Sequence, residues 1–458
     1  MTETPKTKIG LLGLMFDLYE RWPEIKPLLA EFAGELVETL SPFAEVDFPG
    51  VCTTREQVER AVAGFEADGV DLLMVVMLSY APSHIALPAL IRTPLPVLLF
   101  NTQQLHAISQ QTVSLDTTRN HGMHGVQDLA NVLLRAGRDF HLVTGHYQDE
   151  RTLAQVKSWC DAARTVRFMR QMQIGLLGHA MEGMGDFGLD ETTFLAQAGI
   201  TVRRIPMKTV ADLAQAAPQA EIARQMAADR ERFQFQEDIT SEEHEASSRL
   251  EWALRQILRR RQMHGFAAHF MAIGDDGRLD TLPFLAASKL LGEGYGFGGE
   301  GDVTSAAAVA MMAELAGAAN FTEMFSMDFA GNAVLMMHMG EGNWQMARKD
   351  EPVHLLRSAL DLVDLRHAPL LPAFSLEPGP ATLVSLTTVA EGQLKFIVTE
   401  GEVVDFPYVA DMGRPHYKFR PQGDLSDFLT RFSLAGGSHH QAMAYGCWAG
   451  AVEKIAAL

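Results

Sequence analysis

The sequence predicts an α/β fold. Two doubly wound parallel sheets come first, followed by a β-rich, antiparallel and barrel-like C-terminal part. Three observations carry this. Short apolar runs alternate with amphipathic segments through the first half of the chain. The runs are nearly continuous in apolar character rather than alternating, as for strands covered by helices on both faces. After about residue 318 the texture changes to short β-branched segments set off by Gly, Glu-Gly and Pro turns.

The elements follow in order. Strands are expected at Ile9–Met15, Ala44–Phe48, Leu72–Leu78, Val97–Phe100 and His141–Thr144, with helices at Glu24–Thr39, Arg55–Ala67, His124–Ala136 and Glu150–Ala163 between them. Near residue 171 the chain almost repeats itself: Ile9-Gly10-Leu11-Leu12-Gly13 returns as Ile174-Gly175-Leu176-Leu177-Gly178. This is either an internal repeat or simply the look of a buried first strand before a glycine turn. The second unit continues through the strand Ile200–Ile205, a charged helical stretch Ser241–Met263, the strand Phe266–Met271 and the helix Leu282–Leu291. Beyond it, Ala381–Val389, Gln393–Thr399 and Glu402–Val409 read as antiparallel strands of a small barrel or sandwich, closed by a C-terminal helix from about His440. The expected domains are 1–170, 171–318 and 319–458.

Composition bounds the function. The chain has 458 residues, enough for about three domains. With 47% hydrophobic and 21% charged residues it is an ordinary globular chain. With 38 basic and 57 acidic residues the net charge is −19, which argues against nucleic acid and against anionic membrane surfaces. Cys52, Cys160 and Cys447 are far apart and odd in number, so neither a disulfide framework nor a Cys-x-x-Cys metal knuckle is expected. The N-terminus lacks a signal-peptide pattern and the apolar runs are too short to span a bilayer. The expectation is a reduced, soluble, cytoplasmic protein.

Four stretches carry chemistry. Gly294-Tyr295-Gly296-Phe297-Gly298-Gly299 formally fits a dinucleotide-binding pattern, but it follows a helix, and Glu300 and Asp302 stand where a pyrophosphate would sit. Two acids there repel phosphate and attract a cation, although Asp302 is equally a helix N-cap. Glu323 lies in the apolar, aromatic run Asn320–Phe329, where an acid is costly to bury unless paired or ligating a metal. His338 ends the apolar run that begins at Val334; Ala435-Gly436-Gly437-Ser438-His439-His440 places two histidines at an expected helix start. Each has a purely structural reading: an exposed strand acid, a satisfied histidine, incidental histidines. Together they form a set of two carboxylates and two imidazoles without a thiolate. Such a set suits Mn²⁺, Mg²⁺ or Co²⁺ and leaves two octahedral positions for substrate oxygens.

In their order and spacing, Gly299-Glu300-Gly301-Asp302, Phe321-Thr322-Glu323, the strand ending in His338 and Gly436-Gly437-Ser438-His439-His440 resemble the L-arabinose isomerase family, part of a superfamily that includes L-fucose isomerase. So do His124-Gly125, Leu142-Val143-Thr144-Gly145-His146-Tyr147-Gln148-Asp149, and Thr102-Gln103. The resemblance implies two Rossmann-like domains before a β-rich domain, assembled as a homo-oligomer (trimer or hexamer) with subunit-shared active sites. It implies a Mn²⁺-dependent aldose–ketose isomerase acting on a sugar. Glu300, Glu323, His338 and His440 would hold the metal, and Glu300 and Glu323 would also be the catalytic acid–base pair. His124, or less fittingly His121, would contact substrate in a neighbouring subunit, and Met181 and Phe270 would line the pocket.

The chain departs from the family after the first strand. Gly13-Leu14-Met15-Phe16-Asp17 is apolar where the arabinose enzymes carry a sugar-binding amide, so Met15 and Phe16 are the expected substrate contacts and the choice between L-arabinose and another sugar stays open. Other readings of the same residues are a metal-dependent epimerase or hydrolase and a non-catalytic sugar-binding relative.

Overall fold

The structure is a computed structural model that describes residues 6–358 and 363–458. It falls into two compact units, Met1–Arg167 with Ala457–Leu458, and Phe168–Ala456.

Among the described residues, the first unit is built on one parallel sheet. Its strands run in the order Ala44–Asp47, Thr7–Leu14, Leu72–Met77, Val97–Asn101 and His141–Thr144, with the short Val51–Cys52 beside the end of Thr7–Leu14. The continuous apolar runs have the cause anticipated from sequence: alternate residues enter different cores. Ile9, Leu11, Leu72 and Met74 pack on one face against Ile25–Leu40 and Glu150–Arg170. Leu12, Leu14, Leu73 and Val75 pack on the other against Arg55–Ala67 and Met123–Arg135. Each such side chain gains about 1.5–3 kcal/mol from burial. Gly10 belongs to this packing, since a Cβ there would lie 2.5 Å from the Phe65 ring.

The second unit opens on a four-stranded parallel sheet ordered Gly296–Gly298, Gly265–Ala268, Gln173–Leu177 and Thr201–Ile205. A closed barrel follows, its strands ordered Asn320–Asp328, Ala333–Met337, His416–Pro421, Leu394–Val403, Gly379–Thr388 and His440–Tyr445. The helix Val303–Ala316 is apolar around almost its whole circumference and buried over nearly its whole length. It packs against both the parallel sheet and the barrel, which explains a helix with no polar face. Asp302 at its start therefore sits between the two sheets.

Three expectations are corrected. His440 begins a strand, His440–Tyr445, and the closing helix is Ala449–Ala457. Closure of the barrel on both sides, with Glu323 opposite His440 and Ala381 opposite Tyr445, overrides the weak local preference of this segment. The strand expected to reach Met271 ends at Ala268, and Phe270–Asp276 is helical with His269 at its N-cap position. Gln393–Thr399 and Glu402–Val409 are not two strands. Leu394–Val403 runs straight through Gly401, whose Cβ would lie 2.2 Å from the Arg420 carbonyl oxygen. That glycine marks close backbone approach rather than a turn. Among the described residues no helix is long and apolar enough to cross a membrane.

Candidate active site and metal centre

The site is built where the short strand Gly296–Gly298 enters the buried helix through Gly299-Glu300-Gly301. Neither flanking glycine can be replaced cheaply. A Cβ on Gly299 would lie 2.7 Å from the His338 ring, and one on Gly301 (φ +81°) 2.2 Å from the His179 carbonyl oxygen. Glu300 itself is left-handed, at φ 56° and ψ 17°, a conformation that costs a non-glycine residue on the order of 1–3 kcal/mol and is tolerated where function over-determines it. Its carbonyl accepts the backbone N–H of Met181 at 2.9 Å, which ties the loop to the turn after Gln173–Leu177.

Two imidazoles converge on Glu300, each oriented by its own carboxylate. Asp302 accepts the Ser305 backbone N–H (3.0 Å) and the Thr304 hydroxyl (2.6 Å) at Oδ1, which makes it the helix cap anticipated from sequence. Its Oδ2 accepts from His440 Nδ1 at 3.1 Å. Burial pushes Asp302 up, but the His440 and helix-start hydrogen bonds outweigh it and hold the carboxyl below its ordinary range; burial drives His440 down. The pair is thus a carboxylate facing a neutral imidazole with its proton on Nδ1, and Nε2 presents a lone pair. His338 follows the same plan from the strand Ala333–Met337, with Nδ1 2.8 Å from Glu341 Oε2. Burial opposes a charge on His338, yet Glu341, Glu323 and Glu300 raise it above its ordinary value. The surroundings therefore favour positive charge at this point.

One ligand atom from each of Glu300, His338 and His440 lies within 4.8 Å of the others. Glu300 Oε2, His338 Nε2 and His440 Nε2 are buried and have no hydrogen-bond partner among the described residues. Buried polar atoms are rarely left this way, and three aimed at one point fit a bound cation. Phe321 walls the site, its ring centroid 4.8 Å from that of His338 and 4.9 Å from that of His440. A cavity of ≈ 20 Å³ beside it is lined by Phe270, Phe284, Glu300, His338, Met339 and Glu341 among others.

The structure thus brings together three of the four expected ligands. Glu323 stands opposite His440 on the adjacent barrel strand, outside the group of three. Phe270 lines the cavity, and Met181 touches the Glu300 loop through its backbone. In the first unit, Met15 is wholly buried in the hydrophobic core. Phe16 packs edge-on against Tyr19 and Tyr80, His124 stacks on Tyr80 at 4.4 Å, and His121 lies 4.5 Å from His124. This ring cluster lies past the carboxyl ends of the strands Thr7–Leu14 and Leu72–Met77, with Tyr19 in a short 3-10 helix and His124 in the first turn of Met123–Arg135, where open α/β sheets bind ligands.

Sequence reasoning missed the residues that orient the site. For Glu341 the available signal is its spacing, three positions after His338. Asp186 gave no signal at all. Its Oδ2 accepts from His439 Nδ1 at 2.6 Å, the His439 backbone N–H at 3.0 Å and the Ser438 hydroxyl at 3.2 Å. Burial lowers the His439 pKa, but Asp186 and Glu300 more than reverse this and lift it to about 10.

Models of the L-arabinose isomerase N-terminal, central and C-terminal domains match residues 25–171, 178–318 and 318–458. Curated relatives include L-arabinose isomerase 1 of Bacillus licheniformis, 24% identical over 88% of this chain and 82% of that protein. The L-arabinose isomerase of a Nocardioides species is 25% identical over 95% of this chain and 89% of its own length. That of Thermotoga neapolitana is 27% identical over 85% and 78% respectively. Among solved structures, an ABC-transporter solute-binding protein from Burkholderia multivorans aligns with 60% of this chain and 85% of its own, at 11% identity and a TM-score of 0.19. The matches to families and relatives place the chain among the aldose–ketose isomerases, which are intramolecular oxidoreductases. It belongs to the L-arabinose isomerase family.

Proposed function

We propose that this protein is a divalent-metal-dependent, L-arabinose isomerase-like enzyme that interconverts an aldose and a ketose, pentose or hexose, by proton transfer through an enediol, with the preferred sugar to be set by the screen below. One observation carries the reading: Glu300 Oε2, His338 Nε2 and His440 Nε2 are buried, unpartnered and convergent. Those three residues, joined by Glu323, would hold the ion. Mn²⁺ is the favoured species, with Mg²⁺ and Co²⁺ compatible with the same oxygen and nitrogen donors. When bound, the ion would polarise the sugar carbonyl and stabilise negative charge on neighbouring oxygens.

The chain supplies the proton chemistry. Isomerisation moves one proton between C1 and C2 and another between O1 and O2. Glu300, 3.8 Å from His440, and Glu323, opposite His440 on the adjacent strand, serve as base and acid, a role typically contributing ~10²–10⁴ in rate. Asp302 and Glu341 keep the imidazoles in the ligating tautomer, and Phe321 keeps bulk water from them. With this reading go two Rossmann-like domains ending near residues 170 and 318, a cytoplasmic location, and a trimer or hexamer in which His124, rather than His121, reaches a neighbouring subunit's site. Substrate specificity lies with Phe16 and the rings around it rather than with the buried Met15.

The test is a screen of aldopentoses and aldohexoses with Mn²⁺ present, monitoring ketose formation by proton NMR, which also separates isomerase from epimerase or hydrolase. Glu300→Gln and Glu323→Gln should each lower turnover by ~10²–10⁴ while circular dichroism shows a folded protein. Near-wild-type turnover in either variant ends its acid–base assignment.

A further inference from the structure

The helices Gln219–Arg232 and Ser241–Arg260 border an open cleft of ≈ 540 Å³ that shares no residue with the metal centre. They run antiparallel, since Asp229 meets His244 while Gln225 meets Glu251. Gln225, Ala228 and Arg232 face the cleft from one helix, and Trp252, Arg255, Gln256 and Arg259 from the other, both at helical spacing. Such stripes normally carry the apolar side chains that seal two helices together. Here they are mostly polar and line a gap. Every carboxylate in the lining is already engaged: Glu221 with Arg224, Glu251 with Lys289 and Arg255, and Glu293 with Arg255. Arg232 and Arg259 have no carboxylate partner among the described residues. Yet the chain holds 57 acidic against 38 basic residues, so carboxylates are in excess. The Arg232 guanidinium lies 5.6 Å from the Trp344 ring centroid, which holds it in place without using its donors. Gln225 is fixed by its own donor, Nε2 to Glu251 Oε1 at 3.3 Å, and its Oε1 is buried with no hydrogen-bond partner among the described residues. The cleft therefore offers two unspent cations and one unspent acceptor.

We infer that this cleft is a second ligand site, for an elongated hydroxylated molecule carrying an anionic group such as a phosphate at each end. Arg232 and Arg259 take the two anions through charge-assisted, bidentate hydrogen bonds. Their placement sets the length. Counted from the level where Lys289 joins Asp229 to Glu251, Arg232 lies toward one end of the cleft and Arg259 toward the other. The two Cα positions are about 16 Å apart along the helices, a span that two arginine side chains shorten from both ends. Gln225 Oε1 accepts a hydroxyl from the middle of the molecule, beside Trp252. The Lys289 network beneath contributes rigidity rather than charge, because its cation is shared by Asp229 and Glu251. The site uses none of Glu300, His338 and His440, so it stands independently of the isomerase reading.

The experiment is titration calorimetry on the full-length protein with a chelator present, so that no cation competes for the probe. Fructose 1,6-bisphosphate, fructose 6-phosphate and fructose carry two, one and no anionic groups, and their affinities should fall in that order. Arg232→Gln and Arg259→Gln should each weaken bisphosphate binding about tenfold, and the double variant about a hundredfold, because the two contacts are distant and independent. Arg260→Gln, next on the helix but outside the cleft lining, should change it by less than about twofold, since exposed charges beyond contact are screened. Both cleft positions are exposed, so circular dichroism of the variants should match wild type. A wild type that fails to bind the bisphosphate at millimolar concentration overturns the inference. So does an unchanged affinity in the double variant, which would move the anion to another place on the molecule. An equal loss in Arg260→Gln overturns it by reducing the effect to net charge. A fall in particle mass by light scattering in the double variant overturns it too, by making the cleft a contact between copies of this chain.

Discussion

His440 Nδ1 lies 3.1 Å from Asp302 Oδ2, and both side chains are wholly buried. This contact decides which imidazole nitrogen is available. Asp302→Asn keeps an oxygen for the Ser305 N–H, so the helix cap survives. The amide facing His440 then donates instead of accepting, which moves the imidazole proton to Nε2. Mn²⁺ affinity should fall ~10- to 100-fold with the thermal midpoint of the metal-free protein nearly unchanged. Unaltered Mn²⁺ affinity in a titration would remove Asp302 from the orientation of the site.

Metal removal should be read in stability as well as activity. If Glu300, His338 and His440 bind a cation only when folded, free Mn²⁺ at 100 times its dissociation constant adds about 2.7 kcal/mol. Scanning calorimetry with a chelator and then with Mn²⁺ should show a lower and a restored midpoint. The Asp302→Asn variant should require more Mn²⁺ for the same restoration. A midpoint indifferent to Mn²⁺ would argue against a site formed by folding.

Much of this was legible in the sequence, for physical reasons that differ by region. The parallel strands of the first unit announce themselves because Leu72–Met77 is buried on both faces, so no polar alternation dilutes the signal. Glu300, His338 and His440 stood out because charged and imidazole side chains in glycine-rich or apolar surroundings need partners. His440–Tyr445 was misread because its residues suit a helix and only pairing with strands more than 50 residues distant in sequence makes it a strand. Asp186 was invisible for a similar reason: it acts on His439 from 253 positions away. Carboxylates that orient a site from such distances leave no local pattern.

A second buried charge network carries no catalytic assignment, and its consequence is for stability. Lys289 Nζ lies 2.7 Å from Asp229 Oδ1 and 2.6 Å from Glu251 Oε2, with Lys289 5% exposed and the two acids at 0% and 1%. His244 Nε2 lies 3.2 Å from Asp229 Oδ2. Burial raises the Asp229 carboxyl, but His244 and Lys289 together bring it below its ordinary value. Lys289→Met removes the cation shared by two buried acids, leaving Asp229 with His244 and Glu251 with Arg255, and should cost ~3–5 kcal/mol in chemical denaturation. Asp229 contributes stability that is present above its unfolded value of ~3.9 and is lost as pH falls through its lower folded value, so the wild type should weaken on acidification below that point. In Lys289→Met the folded Asp229 value moves up toward or past the unfolded one, so this acid-side loss should shrink. Denaturation midpoints equal to wild type at neutral pH would show that the network is not strongly coupled to folding.

At the alkaline end the first unit carries its own titration. The Tyr147 hydroxyl donates to Glu35 Oε2 at 2.5 Å, and burial together with this carboxylate raises the phenol to about 12. An unfolded tyrosine releases its proton near ~10. Between these values the folded chain keeps a proton that the unfolded chain has lost, so stability present below pH ~10 is lost as pH rises toward the folded value. The expected effect is about 1–2 kcal/mol across that window. Tyr417 and Tyr445 are also raised, chiefly by burial, so they contribute to the same decline. Tyr147→Phe removes one share of it: the variant should lose stability less steeply than wild type above pH ~10, while at neutral pH it lacks the hydrogen bond to Glu35. Denaturation series at neutral and alkaline pH measure both effects. Parallel pH profiles for the two proteins would show that Tyr147 titrates normally and that the short contact with Glu35 contributes nothing to folding.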